Sequence, residues 1–204
     1  MAEPDGADGG AERLVRSALA DNAELAARLA DDALVAAVAT VGDVLVAAFA
    51  AGAKLVLFGN GGSAADAAHL AAEFVGRCTR DRRALPAVHL GDSSAGLTAM
   101  ANDYGYRHVF ERGVQAFVRP GDVVIGLTTS GRSENVLRGL AEAARLGAVT
   151  VALCGADDSG LRPLVEHCVA VPSTSTARVQ ETHLLWGHIW AELVESGLPS
   201  PGRE

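Results

Sequence analysis

Residues 55–73, LVLFGNGGSAADAAHLAAE, constrain the fold more than any other stretch of this 204-residue chain. An apolar run from Leu55 to Phe58 meets a glycine cluster, Gly59, Gly61 and Gly62, and then an alanine-rich segment with helical spacing. The order predicts a buried strand, a tight turn and a helix. It is also the order that builds an anion site. Glycines let the turn approach a ligand, Ser63 supplies a hydroxyl, and the first amides of a helix lack intrahelical acceptors and carry the positive end of its dipole. His69 and Glu73 stand four residues apart, so a helix shows both on one face, where they can share a metal ion or a proton. A plain turn followed by a surface His/Glu pair would use the same residues. The chemistry of this stretch therefore depends on partners elsewhere in the chain.

The length suffices for one domain with a core of its own. Hydrophobic residues at 49% with only 4% aromatic describe a core of Ala, Val and Leu. A formal charge of −8 argues against a nonspecific nucleic-acid binder, while a local pocket can still hold a phosphate inside an acidic protein. Cys78, Cys154 and Cys168 lack the close pairing of zinc knuckles or redox motifs and read as reduced core residues. The opening MAEPDGADGG has neither the basic nor the hydrophobic region of a signal peptide, and no long apolar run is free of charged or polar residues. The expectation is a cytoplasmic protein without a membrane span.

Residues 1–10, rich in glycine and acid, are expected to be a disordered tail. From Ala11 to about Ala51 the apolar spacing is helical, with an interruption at Asp31 and Asp32 that predicts two helices ahead of the first strand. After the opening strand and helix, a basic connection at 77–83 leads to a short strand around 86–90. Asp92 or Ser94 is placed to cap a helix through Ala101, broken by Asn102, Asp103, Tyr104 and Gly105. A helix over 109–118 stops at Arg119-Pro120-Gly121-Asp122, and a buried strand over 122–127 follows. Then come a helix over 134–146, a strand over 149–153, a last strand over 168–171 and a helix over 177–195. Residues 197–204 are expected to be a frayed tail and 11–196 a single domain.

Five strands separated by helices predict an α/β fold, a three-layer αβα sandwich on a parallel sheet preceded by N-terminal helices. Ligands of such sheets bind outside the carboxyl ends of the strands. There the pattern of strand, polar loop and helix appears a second time, in Thr128-Thr129-Ser130-Gly131-Arg132-Ser133. Its hydroxyls and the helix start suit a phosphate without a Walker lysine, and Ser133 would also serve as a plain cap. Arg132 would add charge-assisted bonding if it turned inward. Gly59, Gly61 and Ala64 formally satisfy a dinucleotide fingerprint, but the acidic residue expected about twenty positions on is missing. No nucleotide cofactor is expected. In the last helix, Gln180, Glu181, His183 and His188 are polar groups in an apolar segment. Gln180 and His188 lie about 12 Å apart along an ideal axis, so sharing one metal would need them to lean together or Gly187 to distort the helix.

Four segments, GNGGSAADAAHLAAEF, LTAMANDYGY, RPGDVVIGLTTSGRSENVL and STARVQETHLLWGHIWAELVE, resemble in order and spacing the sedoheptulose-7-phosphate isomerases, or phosphoheptose isomerases, of the sugar isomerase (SIS) fold. The likeness runs from about Lys54 to Glu195 and implies a flavodoxin-like sheet and a homotetramer. It implies that a sugar phosphate is held by Asn60, Gly61, Gly62, Ser63, Asn102, Asp103, Thr128, Thr129, Ser130 and Ser133, with Glu73 and Gln180. It further implies zinc on His69, Glu73, Gln180 and His188, and an isomerase of heptose biosynthesis in which Glu73 and His188 supply base and acid. Ala68, Thr128 and Arg132 depart from the common pattern without removing a catalytic group. The resemblance extends to a non-catalytic SIS protein that binds a replication initiator, but that protein does not keep both Glu73 and His188 equivalents. An isomerase or binding domain for another sugar phosphate, such as a hexosamine phosphate, is a third reading.

Overall fold

The computed structural model describes residues 8–198. Two helices, α1 (Asp8–Leu29) and α2 (Asp32–Ala50), precede the sheet. Asp31 caps α2 by accepting from the Ala33 and Leu34 amides, which is why the chain breaks there. Helix α1 already includes Asp8 to Gly10, so the helix starts before the expected Ala11; the rest of the expected N-terminal tail lies outside the described residues. At the other end Ser196 and Gly197 complete the last helix instead of fraying, and 199–204 lie outside the description.

The sheet comprises β1 (Leu55–Gly59), β2 (Ala87–His89), β3 (Val123–Thr128), β4 (Val149–Cys154) and β5 (His167–Ala170), all parallel, in the order β2-β1-β3-β4-β5. Between the strands run α3 (Gly62–Val75), α4 (Ser94–Tyr104), a 3-10 turn (Tyr106–His108), α5 (Val109–Phe117) and α6 (Glu134–Arg145), and α7 (Thr176–Gly197) closes the chain. The strands are continuous apolar runs because both faces are covered. Leu55, Leu57, Val123, Ile125, Leu127, Val151 and Leu153 meet α2, α3 and α7 on one face. Val56, Phe58, Val124 and Ala152 meet α5 and α6 on the other. Alternate residues of a strand point to opposite faces, so the two cores follow from the sequence period. Asp122 ties the lower ends of β1 and β3 by accepting from the Lys54 and Arg119 amides and pairing with the Lys54 ammonium.

Helix α4 corrects the expected boundaries. Ser93, not Asp92 or Ser94, accepts from the Gly96 amide, and the helix runs through Asn102, Asp103 and Tyr104 until Gly105, at φ 85°, ends it. By length and composition α2 is long and apolar enough to cross a membrane, unlike any other helix among the described residues. Its Val38, Val41, Leu45 and Phe49 lie instead in the core, and the Trp190 indole of α7 donates to the Val38 carbonyl at 2.8 Å.

Candidate active site

The turn after β1 is set by Gly61, whose φ of 56° suits a residue without a Cβ. The Ser63 and Ala64 amides turn back onto the Asn60 and Gly61 carbonyls at 3.0 Å, while the Gly61 and Gly62 amides find no acceptor among the described residues. Gly61 and Gly62 are exposed and Ser63 is buried. A Cβ on Gly62 would lie 1.8 Å from the Gln180 amide nitrogen, so α7 lays Gln180 directly over the start of α3. Across the β1–β3 junction stands the second loop. Thr128 is buried at the end of β3, with its hydroxyl 3.4 Å from that of Ser130 and 3.1 Å from that of Ser133. Ser133 occupies the N-cap position of α6 without bonding an amide there, so the expected cap gives way to a hydroxyl cluster. Arg132 turns outward and its guanidinium donates to Asp157 at 2.6 and 3.0 Å, holding that carboxyl below its usual range. Thr129 is half-buried between these groups.

Two turns along α3 from Gly62, His69 and Glu73 meet His188 of α7. The two histidine Nε2 atoms are 3.0 Å apart, Glu73 Oε1 is 3.5 Å from His69 Nε2, and all three donor atoms lie within 4.8 Å of one another. Two imidazole nitrogens this close cannot both present lone pairs; a proton or a cation belongs between them. Donors on a tetrahedral zinc with bonds of about 2.0–2.1 Å stand roughly 3.3 Å apart, so this His/Glu/His set fits a metal of that kind. The helices come this close because Gly187, adjacent to His188, packs on Leu70, adjacent to His69; a Cβ there would sit 2.2 Å from a Leu70 methyl. Gln180, the fourth expected ligand, has its amide against Gly62, about 10 Å of helix axis ahead of His69. His183, by contrast, is a core residue. It is fully buried, 3.3 Å from the Cys154 carbonyl, and burial pushes its pKa down to about 4.

Asn102 and Asp103 are exposed in the last turn of α4 and bond each other at 2.9 Å. Neither is hydrogen-bonded to the loops among the described residues, but the following 3-10 turn is, through a bond from the Tyr106 hydroxyl to Asn60 Oδ1 at 2.9 Å. Three groups escape a reading of the sequence. Buried Asn135 pairs with Asn60. Asp66, buried one turn before His69, has one carboxyl oxygen without a partner, and burial raises its pKa against the pull of His69. Glu195 accepts from the Cys78, Thr79 and Arg80 amides and the Thr79 hydroxyl at 2.8–3.0 Å, and sits 3.4 Å from Arg82 Nε. Arg82 in turn donates to the Glu73, Phe74 and Gly76 carbonyls at the end of α3. This latch joins α3 and α7 two turns below the His/Glu/His set. An acid seven residues after His188 was its only trace in the sequence.

Residues 20–155 match the SIS domain family. The chain is 50% identical over 155 residues to the phosphoheptose isomerase of Aquifex aeolicus (strain VF5), a match covering 76% of this chain and 81% of that one. It is 47% identical over 174 residues to the phosphoheptose isomerase of Burkholderia pseudomallei (strain K96243), covering 85% and 88%. Its fold superposes on the structure of the phosphoheptose isomerase from Neisseria gonorrhoeae with a TM-score of 0.85 at 33% identity, covering 91% of this chain and 98% of that one.

Proposed function

The chain belongs to the phosphoheptose isomerase family of SIS-domain proteins, and from that membership we propose that it interconverts sedoheptulose 7-phosphate and an aldoheptose 7-phosphate, D-glycero-D-manno-heptose 7-phosphate, through an enediol. The observation that carries this reading is the convergence of His69, Glu73 and His188 two helical turns from the glycine loop. That spacing, about 10 Å of axis, suits an extended seven-carbon sugar with its phosphate at one end and its carbonyl at the other. In this reading the phosphate lies between the Gly61 and Gly62 amides and the hydroxyls of Thr128, Ser130 and Ser133, with Ser63 and Thr129 beside them, and Asn102 and Asp103 face the sugar. Gln180, over Gly62, orients the sugar oxygens between the two ends.

The reaction is redox-neutral within one molecule. Glu73 takes a proton from C1 while His188 protonates the C2 oxygen, which gives the enediol. The O1 proton then leaves and a proton returns to C2, so the carbonyl ends at C1. Zinc held on His69, Glu73 and His188 would polarise the sugar oxygens, while Gln180, over Gly62, stands about 10 Å of helix axis from that set. Close packing at Gly187 holds base and acid in register, so little reorganisation is left for the chemical step.

The same reading assigns the exposed apolar surface to a homotetramer. Val35 of α2 and Leu185, Ile189 and Leu193 of α7 line a groove of about 430 Å³, and Leu14, Val15 and Leu19 of α1 are more than half exposed. The three free cysteines suit a reducing cytoplasm. The test is incubation with sedoheptulose 7-phosphate and assignment of the product by NMR. Conversion to the aldoheptose 7-phosphate is expected, with Glu73→Gln and His188→Ala each nearly abolishing turnover in folded protein. Substantial activity in both variants would sink the mechanism.

A further inference from the structure

Asn60 and Asn135 form a closed amide pair. Asn60 Nδ2 donates to Asn135 Oδ1 and Asn135 Nδ2 donates to Asn60 Oδ1, both at 2.9 Å. The orientations are fixed, because Asn135 Oδ1 also accepts from the Val136 amide at 3.0 Å, which rules out an amide flip there and so sets its partner. Asn60 Oδ1 receives a second donor, the Tyr106 hydroxyl. An amide oxygen has two lone pairs, and both of those on Asn60 are thereby used. Its side chain retains a single free N–H. A sugar hydroxyl therefore finds no acceptor on Asn60, although the residue sits in the glycine loop.

The pair joins two elements. Asn60 follows β1 and opens the glycine loop, whereas Asn135 lies in the first turn of α6, two residues beyond Ser133 of the hydroxyl loop. One turn further along α6, Gly139 packs on the Phe58 ring, where a Cβ would lie 2.8 Å from the ring edge. The packing brings helix and strand together, and the amide pair fixes how the two loops stand above them. Asn135 is 4% exposed, so its amide groups have no exchange with water to fall back on.

We propose that Asn135 is a positioning residue for phosphate: by clasping Asn60 it holds the glycine loop and the hydroxyl loop as one anion site, and Asn60 acts through the clasp, its side chain having only one N–H left to offer the substrate. The proposal rests on the reading that these two loops hold the substrate phosphate. Two independent readouts separate the ideas, sugar-phosphate kinetics and calorimetric binding of inorganic phosphate. Asn135→Ala and Asn60→Ala should each raise KM and the phosphate Kd about tenfold, with the loss falling on KM more than on kcat. The double variant should be no worse than either single one. Losses that multiply in the double variant, or an unchanged phosphate Kd in Asn135→Ala, overturn the clasp. A purely structural role would lower the melting temperature without this split. Tyr106→Phe, at an exposed ring, guards against misfolding of the buried variants and should raise the phosphate Kd two- to threefold; an unchanged Kd counts against the proposal. If wild-type protein binds phosphate but does not isomerise the heptulose, the functional reading fails and the clasp still stands to be judged on phosphate alone.

Discussion

Replacing Glu195 by Gln tests how the two helices of the site are held. The carboxylate takes four hydrogen bonds from Cys78, Thr79 and Arg80 and faces Arg82, and its side chain is fully buried. Burial alone would raise its pKa, but these donors outweigh it and pull the value down to about 2. A glutamine of the same shape must turn its NH₂ toward donors in either orientation and leaves Arg82 without a counter-charge. Removing one partner of a buried pair costs about 3–5 kcal/mol, and in a chain of this size each kcal/mol moves Tm by roughly 2–4 °C. The variant should melt about 6–20 °C lower at pH 7, from the product of those two ranges. Because the folded-state pKa lies below the usual carboxylate value, this stabilisation is fully present above about pH 4.5 and drains away as pH falls toward 2. Circular-dichroism melts at a series of pH values should show wild type and variant converging in acid. A Tm loss under about 2 °C at pH 7, or a gap that persists at pH 2, would refute the reasoning.

Other expectations follow from single side chains. His183 is neutral in the fold with a pKa of about 4 against 6.5 when free, so the unfolded chain gains a proton first as pH falls. At about 1.4 kcal/mol per unit, roughly 3 kcal/mol of stability should be lost between pH 6.5 and 4, and urea melts of His183→Leu should lack that slope. Gly187→Ala adds a methyl 2.2 Å from Leu70. It should cost about 1–3 kcal/mol, spread α3 from α7 and lower both turnover and metal content; an unaltered kcat would count against close packing as the register of the site. Thorough chelation should remove activity and added zinc restore it, with elemental analysis before and after; unchanged rates in zinc-free protein would take the metal out of the account.

Much of this architecture is legible because a doubly covered parallel strand must be a continuous apolar run, and each such run here ends in a polar loop. The hydroxyl-rich loop after β3 announces itself in the same way. What the sequence conceals is where a long side chain goes. Arg132 stands in the hydroxyl loop but finds Asp157, twenty-five residues away, outside the site. Ser133 has the position of a cap and spends its hydroxyl on Thr128. Asn102 and Asp103 carry turn-forming side chains, yet α4 continues through them because Gly105, with its positive φ, offers a better exit. The latch at Glu195 pairs it with residues more than a hundred positions earlier, and no local pattern marks such a contact.

His188 lies on the last helix, 119 residues after His69. At a synthesis rate of about 5–20 residues per second, roughly 6–24 s separate the emergence of the two histidines from the ribosome. During that interval the sheet's first three strands can form with the glycine loop already in place, while His69 and Glu73 remain an open pair on an uncovered helix. The His69/Glu73/His188 set closes only when α7 docks. Assembly of this donor set is thus among the last events in making the chain, and a product terminated before α7 lacks it.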